Sequence, residues 1–177
     1  KDGMTEVIGN PTEGALLLWL KDKGIDYNSI KENITTIQEL PFSTERKYMA
    51  TVVRTADNTT VLLVKGAPEI VYATGNSTGI DSDNLKKELH GYQSQGKRTL
   101  AFAYKTVNDG EMPINDCKVT DKDLTFIGIA AISDPVRKEV PAAIKECTDA
   151  GIKIKIVTGD TPLTAKEIGR QIGLWKD

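Results

Sequence analysis

The sequence predicts an α/β protein, and three observations carry that reading. Between residues 34 and 104, short runs of β-branched and apolar residues alternate with turn residues, the pattern of antiparallel hairpins. Amphipathic stretches with helix start and stop signals flank those runs. From Leu124 onward an apolar run, a helix, an apolar run and a second helix follow one another, the order that builds a parallel sheet. The expected architecture is a mainly antiparallel β-sheet flanked by helices over residues 1–130, joined to a partial β-α-β-α segment over residues 131–177. The boundary falls near Asp134-Pro135, where proline holds the preceding residue extended.

Asn10-Pro11-Thr12-Glu13 starts the first helix, with Asn as cap, Pro at the first position and Glu at the third. Ala15, Leu16, Leu17, Trp19 and Leu20 fill that helix, and Gly24 ends it. Ile34 to Leu40 alternates as a strand until Pro41 breaks it, and Met49 to Arg54 with Thr60 to Val64 forms a hairpin around Asp57-Asn58. At the end of that hairpin stands Lys65-Gly66-Ala67-Pro68-Glu69. Gly66 frees the backbone to turn there, and Pro68 suits the first position of a short helix, Glu69 to Tyr72. Asn76 to Asp83 has loop composition, and Leu85 to Gln95 is an amphipathic helix closed by Gly96. Thr99 to Tyr104 reads as a strand, Asn108 to Asp123 as a polar excursion and Leu124 to Ile132 as a strongly apolar strand. Val136 to Ala150 is a helix with Pro141 in an early turn, Ile152 to Val157 a buried strand, and Thr161 to Ile172 a helix opened by Pro162.

A chain of 177 residues can bury a core without staples. Its formal net charge of −2, with charged residues interspersed, argues against nucleic acid or an anionic membrane surface as the main partner. Cys117 and Cys147 lack metal-site spacing and fit a reducing compartment, with neither thiol catalytic. His90 is the single histidine and has no evident Ser or Cys partner for nucleophilic catalysis. The longest apolar runs, Ala15 to Leu20 and Phe126 to Ile132, are too short to span a bilayer, so the segment reads as soluble. A start at Lys1 without an initiator Met or leader, and the stop at Asp177, read as cuts from a longer protein.

Several residues can carry chemistry. Lys65 leaves a rigid strand end near the amides of a turn, a place for an anion or simply a solvated ammonium. Phe42-Ser43-Thr44-Glu45-Arg46-Lys47 holds an aromatic beside cations: the ring can stack on a purine while the cations face phosphates, or Phe42 is a core residue beside a solvated turn. Stacking one base on an aromatic contributes about 1–3 kcal/mol in single-strand binders, enough to anchor weak binding. Glu13 can cap its helix or accept from an adenine amino group. Arg98 enters a strand and can clamp phosphate with its planar fork or solvate a sheet edge. Thr158-Gly159-Asp160 follows the apolar run 152–157 and precedes a helix; it can take a phosphate and position Mg2+, or merely cap the helix. Neither Gly-x-x-x-x-Gly-Lys-Ser/Thr nor Gly-x-Gly-x-x-Gly occurs, so any nucleotide is held without the common phosphate loops.

Taken in order, Gly-x-x-Thr-Glu-x-Ala-Leu at 9–16, Phe-Ser-x-x-Arg-Lys at 42–47, Lys-Gly-Ala-Pro-Glu at 65–69, Asp-Pro-Val-Arg at 134–137 and Thr-Gly-Asp-x-x-x-Thr-Ala at 158–165 resemble the cytosolic nucleotide-binding domain of type II P-type cation-transporting ATPases. The stretch from Asp134 to Asp160 is most similar to the calcium-transporting branch, plasma-membrane type, including bacterial members. The resemblance covers nearly the whole chain. It implies that Glu13 binds the adenine amino group, Phe42 stacks on the ring, Lys65 with Gly66 lines the pocket floor, Lys47 and Arg98 face the phosphates, and Leu100 adds an apolar contact. It also implies that Asp134, Pro135 and Arg137 form the hinge strand returning to the phosphorylation domain. Thr158, Gly159 and Asp160 would then lie beside the phosphorylation site of that Rossmann-like, haloacid-dehalogenase-type domain.

Thr44 departs from the Arg that sarcoplasmic-reticulum-type pumps carry there, so one phosphate contact is either missing or supplied by Arg46 or Lys47, and Thr161 stands where many relatives have Asn. The Asp-Lys-Thr-Gly-Thr segment whose Asp is phosphorylated is not in these residues. The implied parent is a multi-pass plasma-membrane pump that uses ATP and Mg2+. This segment, on the cytoplasmic side, binds ATP or ADP and works with the pump's phosphorylation, actuator and membrane domains. The competing classes are an interaction module that kept the fold and lost the nucleotide, and a soluble dehalogenase-like phosphotransferase.

Overall fold

The computed structural model describes residues 9–75, 81–108, 110–120, 123–133, 136–158 and 162–175. Two compact units divide the chain: one within Lys1–Ser77 and Ala101–Ile129, the other within Thr78–Leu100 and Ala130–Asp177.

The first unit opens with helix α1 (Pro11–Asp22), capped as its sequence requires: the Asn10 side chain accepts from the Thr12 amide at 2.9 Å, and Pro11 stands in the first turn. Gly24 follows at φ +73, the left-handed value that ends a helix without cost only in glycine. A short helix, α2 (Tyr27–Glu32), capped by Asp26, had no counterpart in the sequence reading.

Strands β1 (Ile34–Leu40), β2 (Tyr48–Thr55) and β3 (Thr60–Gly66) pair antiparallel in series, followed by helix α3 (Pro68–Thr74). Helix α4 (Ser82–Ser94) lies in the other unit; strand β4 (Arg98–Val107) pairs antiparallel with β3 through Ala101 to Val107, which belong to the first unit. The polar excursion after β4 contains a two-stranded ribbon, β5 (Ile114–Asn115) with β6 (Lys118–Val119), and ends at strand β7 (Thr125–Ile132). The large sheet has the order β1-β2-β3-β4-β7.

Alternation along the strands sets the core. In β3, Leu62, Val64 and Gly66 are buried, while Leu63 and Lys65 point to the opposite, more open face. Buried Val52 and Ala50 lie opposite Leu62 and Val64 on β2, buried Ala103 and Ala101 lie opposite Val64 and Gly66 on β4, and α3 packs against β3 with Val71 fully buried. Tyr72 of α3 meets Phe126 of β7 edge to face, ring centroids 5.6 Å apart. The register of β1 on β2 skips at Ile37, a bulge that blunts this edge strand against further pairing.

In the second unit α4 packs against α6 (Pro162–Gln171), and α5 (Val140–Asp149) precedes it. Helix α5 starts at Val140, not Val136. Deep in a helix, Pro141 would remove a hydrogen bond and clash with the preceding turn, so the helix begins where Pro141 falls in its first turn. The expected Rossmann-like β-α-β-α order is present in its helices but not in its second strand. Residues 152–158 form no strand, and Val157 is 95% exposed. A buried parallel strand needs hydrogen-bonded neighbours, and among the described residues none pairs with this segment. An apolar run was read there as burial, and burial is what the segment lacks.

Candidate functional site

Glu13 lies in the first turn of α1 and Lys65 next to the end of β3. The Lys65 ammonium donates to Glu13 Oε1 at 3.0 Å, closing a contact across 52 residues of sequence. The side chains remain 30% and 56% exposed, so the pair holds geometry more than stability; exposed pairs contribute about 0–1 kcal/mol. Asn10 alone caps the helix, and the Glu13 carboxylate is engaged with Lys65 instead of closing a capping box.

The ladder sets Lys65 directly opposite Met49 on β2 and Phe102 on β4. Opposed residues share a face of the sheet, so the lysine stem stands between a thioether and an aromatic ring, with its charge at the open end. Neither Met49 nor Phe102 figures in the sequence reading. The signal for Met49 was present, because residues equidistant from Asp57 pair across the hairpin. Phe102 required the β3–β4 register, which lies across a long connection.

Between β1 and β2 the loop carrying Phe42 folds on itself. Lys47 N donates to Ser43 O at 2.8 Å, Arg46 N to Ser43 Oγ at 3.1 Å, and Arg46 Nη2 to Pro41 O at 2.7 Å. Lys47 ends the loop at φ +59, a left-handed value unusual for a residue with a Cβ. The Ala67 amide then donates to Lys47 O at 2.9 Å. Gly66 is required at this crossing, since a Cβ there would come within 2.5 Å of both Lys47 O and Tyr48 Cβ. The loop with Phe42 and Lys47 is thereby fixed to the strand end with Lys65. Phe42 itself is 57% exposed, a ring presented to solvent and not packed in the core.

Arg98 and Leu100 open β4 within the second unit, Arg98 exposed and Leu100 half-buried. Arg137 and Thr158 are exposed in that unit too. Asp134, Pro135, Gly159 and Asp160, with Thr161, lie outside the described residues. Among the described residues no three His, Cys, Asp or Glu side chains gather as a metal site, and no helix is long and apolar enough to cross a membrane. The first unit also has a cavity of about 160 Å³ lined by Ile37, Gln38, Arg54, Val107 and Glu111 among others. It lies at the opposite end of the sheet and includes none of Glu13, Phe42, Lys47 or Lys65.

An open sheet face thus carries a paired lysine and carboxylate, and the loop of an exposed aromatic is tied to the same strand end. Residues 1–139 match the family described as P-type ATPase, cytoplasmic domain N, and the chain belongs to that family. The resemblance to this family is thus borne out. A calcium-transporting ATPase of Bacillus subtilis (strain 168) is 38% identical over 98% of this chain and 20% of its own length. Calcium-transporting ATPase PAT1 of Dictyostelium discoideum is 35% identical over 97% of this chain and 16% of its own. Calcium-transporting ATPase 7, plasma membrane-type, of Oryza sativa subsp. japonica is 34% identical over 96% of this chain and 18% of its own. The chain spans about a fifth of the length of such relatives.

Proposed function

We propose that this chain binds ATP as the nucleotide-binding module of a P-type pump that couples ATP hydrolysis to transport of a cation, Ca2+, across a membrane. The observation that supports it most is the joining of Glu13, Lys65 and the Phe42 loop, three separate stretches of sequence, on one side of the first unit. In this reading the adenine ring stacks on Phe42, its amino group donates to the Glu13 carboxylate, and Lys65 with Gly66 forms the floor. Lys47 and Arg98 face the phosphates, and Leu100 contacts the base or ribose. The Arg46 guanidinium is already bonded to Pro41 O, which leaves Lys47 to replace the cation missing at Thr44.

Mg2+ would arrive on the nucleotide phosphates, as that ion commonly does. The phosphoryl acceptor is an aspartate outside this sequence, with Thr158, Gly159 and Asp160 beside it and Asp134, Pro135 and Arg137 as the hinge. The partners are the phosphorylation, actuator and membrane domains of a multi-pass plasma-membrane protein, with this module on the cytoplasmic side. A chemical-shift titration with ATP tests the reading. The wild-type chain is expected to bind on the order of 1 mM, near −4 kcal/mol, because part of the phosphate site lies elsewhere. Phe42→Ala and Lys65→Ala should each bind more weakly; equal affinity in all three would remove the pocket assignment.

A further inference from the structure

We propose that Arg46 is a positioning residue that presents Phe42 to the base and is not itself a phosphate ligand. The inference rests on the nucleotide reading above and deepens it. Cations beside an exposed aromatic invite the view that each one faces phosphate, but Arg46 is committed elsewhere. Its Nη2 donates to Pro41 O at 2.7 Å, its own amide donates to Ser43 Oγ at 3.1 Å, and its side chain is only partly exposed. Among the described residues it forms no ion pair, and its Nε is buried without a hydrogen-bond partner. The Nε has left water without gaining a partner, and the Nη2 contact is made to a backbone oxygen and not to a charge.

The carbonyl it holds explains why. Pro41 C=O and Phe42 N–H belong to one planar peptide, so fixing the oxygen fixes the plane from which the Phe42 side chain departs. The same loop is tied at its other end by Lys47 N to Ser43 O and by Ala67 N to Lys47 O. With both ends held, an exposed ring gives up little conformational freedom when a base stacks on it. Lys47, next in sequence and exposed, is the cation left for phosphate.

The test compares wild-type chain with Arg46→Lys, Arg46→Gln and Ser43→Ala, each also combined with Phe42→Ala. Adenosine, ATP and tripolyphosphate are titrated by NMR, and backbone spectra and thermal midpoints report folding. Loss of the brace should weaken adenosine and ATP by the same factor, up to about tenfold, which is a partial loss of the stacking contribution. Arg46→Lys should weaken both despite keeping its charge, Ser43→Ala should act in the same direction while remaining folded, and none should add to Phe42→Ala. The Arg46 Nε–H resonance should be visible at neutral pH, protected by burial, and unmoved by tripolyphosphate. If ATP weakens while adenosine does not, or if Arg46→Lys retains full affinity, Arg46 is a phosphate ligand and the inference fails. Variants that bind like wild type overturn it as well. A wild-type chain that binds neither adenosine nor ATP overturns the nucleotide reading, and this inference with it.

Discussion

Lys65 and Lys47 are both lysines beside the same crossing of backbone, yet the fold treats them differently. Lys65 is paired with Glu13 at 3.0 Å, whereas Lys47 is exposed and held at φ +59. The left-handed conformation costs a residue with a Cβ about 1–2 kcal/mol, a cost glycine escapes, offset in part by its greater freedom when unfolded. Lys47→Gly is therefore expected to raise stability by up to about 1 kcal/mol in denaturant titration while weakening ATP and leaving adenosine unchanged. An equal loss for both ligands would mean that the loop, and not the charge, had been damaged. Lys65→Ala should separate the two effects the other way: the pair is partly exposed, so stability changes by less than about 1 kcal/mol, while nucleotide affinity falls. Glu13, Phe42 and Lys65 were legible in the sequence as candidates because each sits at an element boundary that local signals mark. That Glu13 bonds Lys65, and that Arg46 folds back on Pro41, was not legible. Those contacts depend on where the chain brings distant or curled backbone together, and spacing records neither.

At the level of elements, the β2–β3 hairpin shows how a turn fixes register and makes it sensitive to pH. Asn58 takes φ +68, and the Thr55 hydroxyl donates to Asp57 Oδ1. That hydroxyl first, and the Thr59 amide second, hold the Asp57 carboxyl below its ordinary value of 3.8. A carboxylate with a depressed folded-state pKa lends stability that is present above the unfolded value and is lost as pH falls through the folded one. Thr55→Val should accordingly raise the Asp57 midpoint toward 3.8 in an NMR titration, so that the turn's contribution disappears at a higher pH than in wild type. A midpoint unmoved by the substitution would show that the hydroxyl is not the cause. This hairpin was readable because its turn and alternation are local. The segment 152–157 was misread for the complementary reason. An apolar run specifies a wish for burial, but a parallel strand exists only with neighbours whose presence the run itself does not encode. Helix α5 lies between these cases: its existence was legible from Pro141 and Gly151, and its start shifted to put Pro141 in the first turn.

For the whole molecule, binding and turnover should come apart. The proposed contacts require only a folded chain, whereas hydrolysis by phosphoryl transfer requires an acceptor. The Asp-Lys-Thr-Gly-Thr segment that would supply the acceptor is not in this sequence. A ligand that binds only the native state stabilises it by mass action, and at ten times its dissociation constant the gain is about 1.4 kcal/mol. For a chain of this size that corresponds to a rise in melting temperature of about 3–6 °C. ATP, ADP and a non-hydrolysable ATP analogue should therefore each raise the midpoint at millimolar concentrations. GTP should do so less if the Glu13 carboxylate reads the exocyclic amino group of adenine. The net charge of −2 works in the same sense: an anionic ligand gains nothing from the field of the whole chain, so nucleotide stabilisation has to come from the local cations and the stacked ring. Under those same conditions the chain should release no inorganic phosphate and accumulate no acid-stable phosphoprotein from radiolabelled ATP. Thermal stabilisation without turnover is the outcome expected of a module that holds the nucleotide for a reaction completed on another segment. Phosphate release dependent on this chain would mean that it carries an acceptor of its own.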